Sequence, residues 1–133
     1  MTTPLNFAYT IAYVADVEAS LTFFEQAFGL KRRFLAPGAV YGELDTGGTA
    51  LAFAQHALAR GNLGHDYVAA DASAAPLGVE IGLTTGDVGA ACERAVKAGA
   101  TLLAAPTTKP WGQTVAYVRC PDGTLVELCT AMG

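Results

Sequence analysis

The sequence predicts an α+β protein made of two βαβββ modules, and three observations support this fold class. The order strand, helix, strand, strand, strand occurs twice along the chain, as judged from hydrophobic periodicity and turn residues. An aspartate that can cap a helix, Asp16 or Asp87, precedes each predicted helix, and a glycine ends it. Residues 55–76 show no clear period and divide the chain almost in half. The pattern therefore indicates an internal duplication around a connector.

The first module is predicted over residues 1–54. Its helix follows Asp16, carries apolar residues at helical spacing and ends at Gly29. Turns at Pro37-Gly38 and at Gly47-Gly48 separate the last three strands. The predicted strands cover residues 7–14, 30–35, 39–45 and 49–54.

The second module is predicted over residues 77–133, after a connector with a helical turn near residues 56–60. Asp87 caps its helix, which ends at Gly99. A proline-rich turn and the Pro-Asp-Gly turn at residues 121–123 separate its last three strands. The predicted strands cover residues 77–84, 101–105, 114–119 and 124–129. Both modules are expected to form one compact unit.

Composition places the chain among soluble globular proteins. Hydrophobic residues make up 52% of the 133 residues, and the apolar runs are far shorter than the roughly 20 residues that cross a bilayer. Eight basic and twelve acidic residues give a net charge of −4, which argues against nucleic acid as a partner. Three cysteines without CxxC spacing fit reduced thiols, and the amino-terminal residues lack a secretory signal. We therefore expect a cytoplasmic protein with neither a membrane nor a nucleic-acid partner.

Glu127 is the most informative residue of the last predicted strand. Because side chains alternate along a strand, Glu127 shares one face with Leu125 and Cys129. A carboxylate among apolar neighbours is costly unless it meets water, a cation or a hydrogen-bond donor. The face that carries Glu127 is therefore predicted to border a cavity.

The duplication predicts three further positions that face the same cleft. Seven residues before the two capping aspartates lie Tyr9 and Glu80, at matching positions on the first strand of each module. Aligning the Gly-Thr pair at residues 48–49 with that at residues 123–124 sets Ala52 against Glu127. If the modules combine into one curved sheet, these four positions face a common cleft.

Several motifs resemble those of the vicinal oxygen chelate superfamily, which includes glyoxalase I, extradiol dioxygenases and bleomycin resistance proteins. They are the V-x-D-x-x-x-S helix start at Val14, Asp16 and Ser20, the Phe-Phe and Gly-Leu pairs at residues 23–24 and 29–30, and PDG-x-x-x-E-L at residues 121–128. The resemblance covers the chain outside the connector. It implies a cup-shaped mixed sheet and a homodimer.

In metal-dependent members of that superfamily, the four cleft positions carry the metal ligands, usually His and Glu. By this resemblance Tyr9 stands where a His is normally found, and Ala52 has no donor atom. Glu80 and Glu127 remain, and with waters they can hold Mg²⁺ or Mn²⁺ weakly. A firm Zn²⁺ or Fe²⁺ site needs three or four protein ligands, including imidazole. No firm metal site and no cofactor are therefore expected.

Three other residues have both a functional and a structural interpretation. His56 and His65 are expected to be solvated loop histidines, although His56 has the parity of Ala52 and shares its face if that strand continues. Cys129 shares the face of Glu127 and either lines the pocket or is a small buried apolar residue.

The Pro-Trp-Gly segment at residues 110–112 resembles bleomycin resistance proteins, in which the tryptophan helps to form an aromatic groove at the dimer interface. Trp111 is therefore a candidate stacking platform, and Glu80 or Glu127 would favour a cationic ligand. The alternative is that Trp111 packs over the sheet edge or fills a dimer contact. Tyr41, on a predicted strand, is expected to lie near the cleft.

The sequence thus favours a binding protein that sequesters an antibiotic-like or aromatic molecule in a dimer cleft. Its predicted ligand-binding residues are Tyr9, Tyr41, Glu80, Trp111 and Glu127. The alternative function is a metal-dependent lyase, isomerase or dioxygenase with an unusual ligand set. Glu80 and Glu127 would also suit metal-free acid–base chemistry if they lie close together, because the charge of one raises the pKa of the other.

Overall fold

The computed structural model describes residues 2–132, and it confirms the α+β fold. These residues form two four-stranded mixed sheets and three α-helices. In chain order the elements are β1 (Tyr9–Val14), α1 (Val17–Phe28), β2 (Lys31–Leu35), β3 (Tyr41–Asp45), β4 (Ala50–Gln55), α2 (His56–Leu63), β5 (Glu80–Thr84), α3 (Val88–Ala98), β6 (Thr101–Thr108), β7 (Thr114–Arg119) and β8 (Leu125–Cys129). None of the helices in this range is long and apolar enough to cross a bilayer.

The two sheets have the same topology. The strand order is β1-β4-β3-β2 in the first sheet and β5-β8-β7-β6 in the second. In each sheet the module's first strand pairs in parallel with its last strand, and the other neighbours are antiparallel. In the first sheet Tyr9 pairs with Ala50 and Ile11 with Ala52. At the equivalent positions of the second sheet, Glu80 pairs with Leu125 and Gly82 with Glu127. Ala52 is therefore equivalent to Glu127, and Tyr9 to Glu80.

The aspartate caps form as the sequence predicts. An Oδ1 atom of Asp16 accepts a hydrogen bond from the backbone N–H of Ala19 at 3.0 Å, and Asp87 does the same with Ala90 at 3.0 Å. Each cap satisfies a donor of the first helical turn that has no partner within the helix. Gly29 ends α1 in the left-handed region, at φ 69°.

Some strand boundaries differ from the predicted ones, because pairing decides where a strand begins and ends. β1 starts at Tyr9 rather than at residue 7, since its partner β4 starts at Ala50. β6 continues through Pro106 to Thr108 instead of turning after residue 105. It is an edge strand with a register shift between Ala104 and Thr107, and a proline is tolerated at such an irregularity.

The core lies between the sheets and the helices α1 and α3, and it draws on both modules. Its fully buried side chains include Leu21, Phe24, Phe53 and Val126. The helices also contact each other directly. Because the helices cover this face of each sheet, the other face is left for a binding site.

The connector is tied to the second module by Arg119. The guanidinium of this residue donates to the backbone oxygens of Ala70 at 2.8 Å, Ser73 at 2.9 Å and Ala74 at 3.2 Å. A charged donor bonded to several carbonyls holds a loop more firmly than a single neutral bond does. The helical segment of the connector is also longer than predicted, since α2 covers His56–Leu63.

Candidate ligand-binding site

The face of the second sheet that points away from the helices carries a carboxylate and a phenol in contact. Tyr117 on β7 lies directly opposite Glu127 on β8, and residues in that arrangement share a face. The hydroxyl of Tyr117 donates to Oε2 of Glu127 at 2.9 Å. This hydrogen bond, together with burial, raises the pKa of Tyr117 to about 12, so the phenol remains a donor at neutral pH.

Glu80 is the second acid of this group. It lies on the edge strand β5, and its side chain is exposed. Desolvation raises the pKa of Glu80 above its usual value, and the negative charge of Glu127 adds a smaller effect in the same direction. Gly82 lies directly beside Glu127, and a Cβ atom at this glycine would be 3.7 Å from Oε1 of Glu127. The missing side chain leaves room beside the carboxylate.

Cys129 is buried next to these acids. Burial is the main cause that raises the pKa of its thiol, followed by the charge of Glu127. Its Sγ atom lies 3.7 Å from the backbone oxygen of Leu83. A buried thiol with a raised pKa is a poor nucleophile, so the small apolar role fits Cys129 better than a reactive one.

Trp111 lies in the turn between β6 and β7 and is 65% exposed. Its indole Nε1 donates to Oε1 of Gln113 at 3.0 Å, and Nε2 of Gln113 donates to the backbone oxygen of Thr130 at 2.8 Å. Gln113 thereby connects the indole to Thr130, the residue that directly follows β8. Trp111 and Gln113 line a depression of about 270 Å³ together with the residues that follow β8. The indole is thus oriented at the end of the second sheet, beside the residues that follow the strand of Glu127.

The first sheet carries a second phenol–carboxylate pair on the equivalent face. The hydroxyl of Tyr41 donates to Oε2 of Glu43 at 2.6 Å. Burial and this hydrogen bond both raise the pKa of Tyr41, and the nearby Tyr9 adds a smaller effect in the same direction. Nη1 of Arg33 lies 3.6 Å from Oε1 of Glu43. The predicted residues Tyr9 and Tyr41 lie on the same sheet, on strands β1 and β3, with β4 between them.

The sequence prediction omitted two residues of these groups, Glu43 and Tyr117. Glu43 lies directly opposite Ala52, just as Tyr117 lies opposite Glu127. A register count across the hairpin at residues 46–49 would have found Glu43, because residues equally distant from a turn face each other. The same count across the turn at residues 121–123 would have placed Tyr117 opposite Glu127.

His56 and His65 differ from each other in their surroundings. The interpretation of His56 as a solvated loop histidine is wrong, because its side chain is only 17% exposed and both ring nitrogens have partners. Its alternative placement on the face of Ala52 is also wrong, since the chain enters α2 at this residue. His65 is exposed, and within residues 2–132 its only hydrogen-bond partner is the backbone oxygen of Asp66.

A comparison with family models classifies the chain. The model described as the glyoxalase/bleomycin resistance protein/dioxygenase superfamily matches residues 6–128. The chain belongs to this superfamily. The match covers both modules and the connector, so it confirms the resemblance at the level of the superfamily. The narrower, bleomycin-resistance-like assignment stays a prediction.

Solved structures show the same fold. A glyoxalase-related enzyme from Fulvimarina pelagi is 23% identical, with a TM-score of 0.80 over 95% of this chain and 88% of that chain. A glyoxalase/bleomycin resistance protein/dioxygenase family enzyme from Burkholderia phytofirmans PsJN is 20% identical, with a TM-score of 0.80 over 96% and 100%. TioX from Micromonospora sp. ML1 is 22% identical, with a TM-score of 0.66 over 94% and 98%. None of the curated proteins matches the chain. At these identities the likeness is one of fold.

The four cleft positions of this glyoxalase-superfamily chain do not fit a firm transition-metal centre. Ala52 has no donor atom and is 0% exposed. Within residues 2–132, no three His, Cys, Asp or Glu side chains converge as metal ligands. Glu80 and Glu127 lie on the second sheet, whereas Tyr9 and Ala52 lie on the first.

Proposed function

We propose that this protein binds a small aromatic or cationic molecule, of the antibiotic-like kind, and sequesters it without metal. The observation that carries this proposal is the exposed, oriented indole of Trp111, which Gln113 connects to Thr130, directly after the strand that carries Glu127. A rigid indole presents a large stacking surface at a small entropic cost. The proposed binding residues are Trp111 in the turn between β6 and β7, Glu80 and Glu127 on the second sheet, and Tyr9 and Tyr41 on the first.

The charge of the site supports a cationic ligand. Glu80 and Glu127 lie near enough for the charge of one to raise the pKa of the other. A cation placed between them relieves that repulsion and interacts favourably with the face of Trp111. Tyr117 donates to Glu127 but leaves the second carboxylate oxygen free to accept from a ligand.

We propose that the complete cleft forms between two copies of the chain. Apolar side chains precede β1 in exposed positions, with Leu5 at 99% and Phe7 at 72% exposure. Within residues 2–132, each of the edge strands β1 and β5 has one strand neighbour. A second copy that covers these edges would bury the apolar segment and bring a first-sheet group beside a second-sheet group. All three cysteines are free, which supports a reducing, cytoplasmic location.

A calorimetric titration tests the stacking role of Trp111. We expect metal-free bleomycin or a planar aromatic cation such as proflavine to bind, and Trp111→Ala to weaken binding roughly tenfold, since a cation–π contact contributes about 0.5–2 kcal/mol. Calorimetry is preferred because the variant lacks the only tryptophan of the chain.

Trp111→Phe is the matched control, because it keeps a flat ring and should lose less affinity than Trp111→Ala. If Trp111→Ala binds every positive ligand as tightly as the unmodified protein, the stacking role is wrong. The ligand should also be recovered unchanged, since sequestration involves no turnover.

The alternative function, a metal-assisted lyase, isomerase or dioxygenase, is distinguished by metal content. Glu80 and Glu127 are the carboxylates that would hold a weakly bound divalent cation such as Mg²⁺ or Mn²⁺. Protein purified without chelator should contain no stoichiometric transition metal if the sequestration proposal holds. A stoichiometric metal that is lost on Glu127→Ala would overturn it.

A further inference from the structure

A second cavity lies at the junction of the two modules, away from Trp111 and the acids. It has a volume of about 200 Å³ and lies between the open edge of β1, the connector and the start of the second sheet. Its lining consists of residues 10–13, 67–70 and 123–125, with Leu77, Val79 and Ile81. We call it the junction cavity. An apolar cavity of roughly 150 Å³ can hold benzene, so this one has the size for a molecule with a single ring.

Tyr67, which lines the junction cavity, belongs to a hydrogen-bonded chain of side chains. The hydroxyl of Tyr67 lies 2.6 Å from Nδ1 of His56, and Nε2 of His56 lies 3.0 Å from Oδ2 of Asp71. A carboxylate only accepts hydrogen bonds, so the proton of the neutral imidazole is on Nε2 and Nδ1 accepts from Tyr67. The oxygen of Tyr67 therefore retains a lone pair that can accept a hydrogen bond from a ligand.

The ring of Tyr67 is held in place from several sides. The ring of Tyr13 packs against it with centroids 4.9 Å apart, and the guanidinium of Arg60 lies 4.8 Å from its centroid. Arg60 is in turn paired with Asp66 at 3.3 Å. A polar group fixed before binding costs less entropy when the ligand arrives.

The edge of β1 adds backbone groups to the cavity wall. The backbone oxygen of Ala8 accepts from Ala50 at 3.2 Å, so the backbone groups of alternate residues in β1 point towards β4. Those of Ile11 and Tyr13 consequently point away from β4, towards the side on which the cavity lies. The wall thus combines an apolar lining with polar groups at one side, as small-molecule sites do.

We propose that the junction cavity is a second ligand site, which takes a single-ring aromatic or short aliphatic molecule carrying one hydroxyl or amine donor. The apolar part fills the space beside Leu77, Val79 and Ile81, and the donor bonds the oxygen of Tyr67. The two proposed sites have different linings, because Trp111, Glu80 and Glu127 do not line the junction cavity. Since the proposed second copy would cover the edges of β1 and β5, a ligand in this cavity should compete with dimer formation.

A titration with phenol, anisole and toluene, followed by calorimetry and protein NMR, tests this proposal. The three molecules share a ring of similar size, and only phenol has a donor. We expect all three to bind and phenol to bind about two- to tenfold more tightly, as the net gain from one hydrogen bond predicts. Tyr67→Phe should remove the preference for phenol while toluene still binds.

Two further variants locate the binding. Val79→Phe places a larger side chain at an exposed position of the lining and should weaken the binding of all three probes. Val96→Phe makes the same change at an exposed position of α3 outside the lining and should leave their binding unchanged. The same samples are examined by sedimentation, so that binding is assigned to a monomer or a dimer. The proposal is overturned if none of the probes binds, if phenol keeps its preference in Tyr67→Phe, or if Val79→Phe weakens binding no more than Val96→Phe does.

Discussion

At the scale of single residues, the two acids of the second sheet have different surroundings. Glu127 accepts a hydrogen bond from Tyr117, which stabilises its charged form. Within residues 2–132, no side chain donates a hydrogen bond to Glu80. Desolvation and the charge of Glu127 both raise its pKa. Glu80 is therefore the acid that should lower the stability of the unliganded protein when it is ionised.

Glu80→Gln should raise the melting temperature at pH 7. A carboxyl with a raised pKa in the folded state stabilises the fold at pH values below its unfolded pKa, and this contribution is lost as pH rises through the folded pKa. The gain from the substitution should be small, about 0.2–1 kcal/mol, because interactions between exposed charges are weak. Thermal unfolding between pH 3 and pH 8 measures it, and the difference should disappear below about pH 4, near the pKa of an unperturbed glutamate. An equal gain at both ends of this range would contradict the assigned repulsion.

At the scale of elements, the turn between β7 and β8 and the connector depend on each other. Gly123 has φ 91°, and a Cβ atom there would lie only 2.3 Å from the backbone oxygen of Ala70. Arg119 donates to the same oxygen. The close approach requires glycine for two reasons, its positive φ and the lack of space.

Gly123→Ala should destabilise the protein by more than the roughly 1–3 kcal/mol that a strained backbone conformation alone costs. Gly47→Ala is a matched control, since Gly47 has φ 93° but has no atom within 4 Å of the added Cβ. Chemical denaturation of both variants measures the difference. Equal losses of unfolding free energy would show that the contact with Ala70 does not contribute.

The elements that the sequence predicted well are those with local causes. Asp16 and Asp87 cap the helices through bonds to residues three positions away, so the helix starts could be predicted from the chain itself. The conformation of the connector could not be predicted in this way, because it depends on hydrogen bonds from Arg119, which is distant in sequence. The same holds for the site: alternation alone identified the face of Glu127, whereas Glu43 required the register of the neighbouring strand.

At the scale of the whole molecule, the two phenol–carboxylate pairs lie on separate sheets that share one core. The helices α1 and α3 contact each other. The hydroxyl of Ser20 in α1 also donates to Asp122 in the second module at 2.7 Å. These contacts fix the modules against each other on the helical side.

We expect the protein to sediment as a dimer at micromolar concentration. Phe7→Asp should weaken this dimer at least about tenfold. The substitution removes a large apolar side chain that the interface would bury, and it places an unpaired charge there instead. Leu63→Asp provides a control at another exposed apolar position, at the end of α2. A monomer at all concentrations, or an equal effect of both substitutions, would contradict the proposed interface.

The placement of Glu43 opposite the fully buried Ala52 also makes the two positions epistatic. Introducing Glu at position 52 alone would place a second carboxylate directly opposite Glu43, so two like charges would repel each other. Introducing Tyr at position 43 alone would remove the acceptor that Tyr41 now uses. Only the double exchange, Glu43→Tyr with Ala52→Glu, would reproduce the pairing of the second sheet. A double-mutant cycle should therefore give a large favourable coupling energy, which means that the two halves can become alike again only by a concerted change.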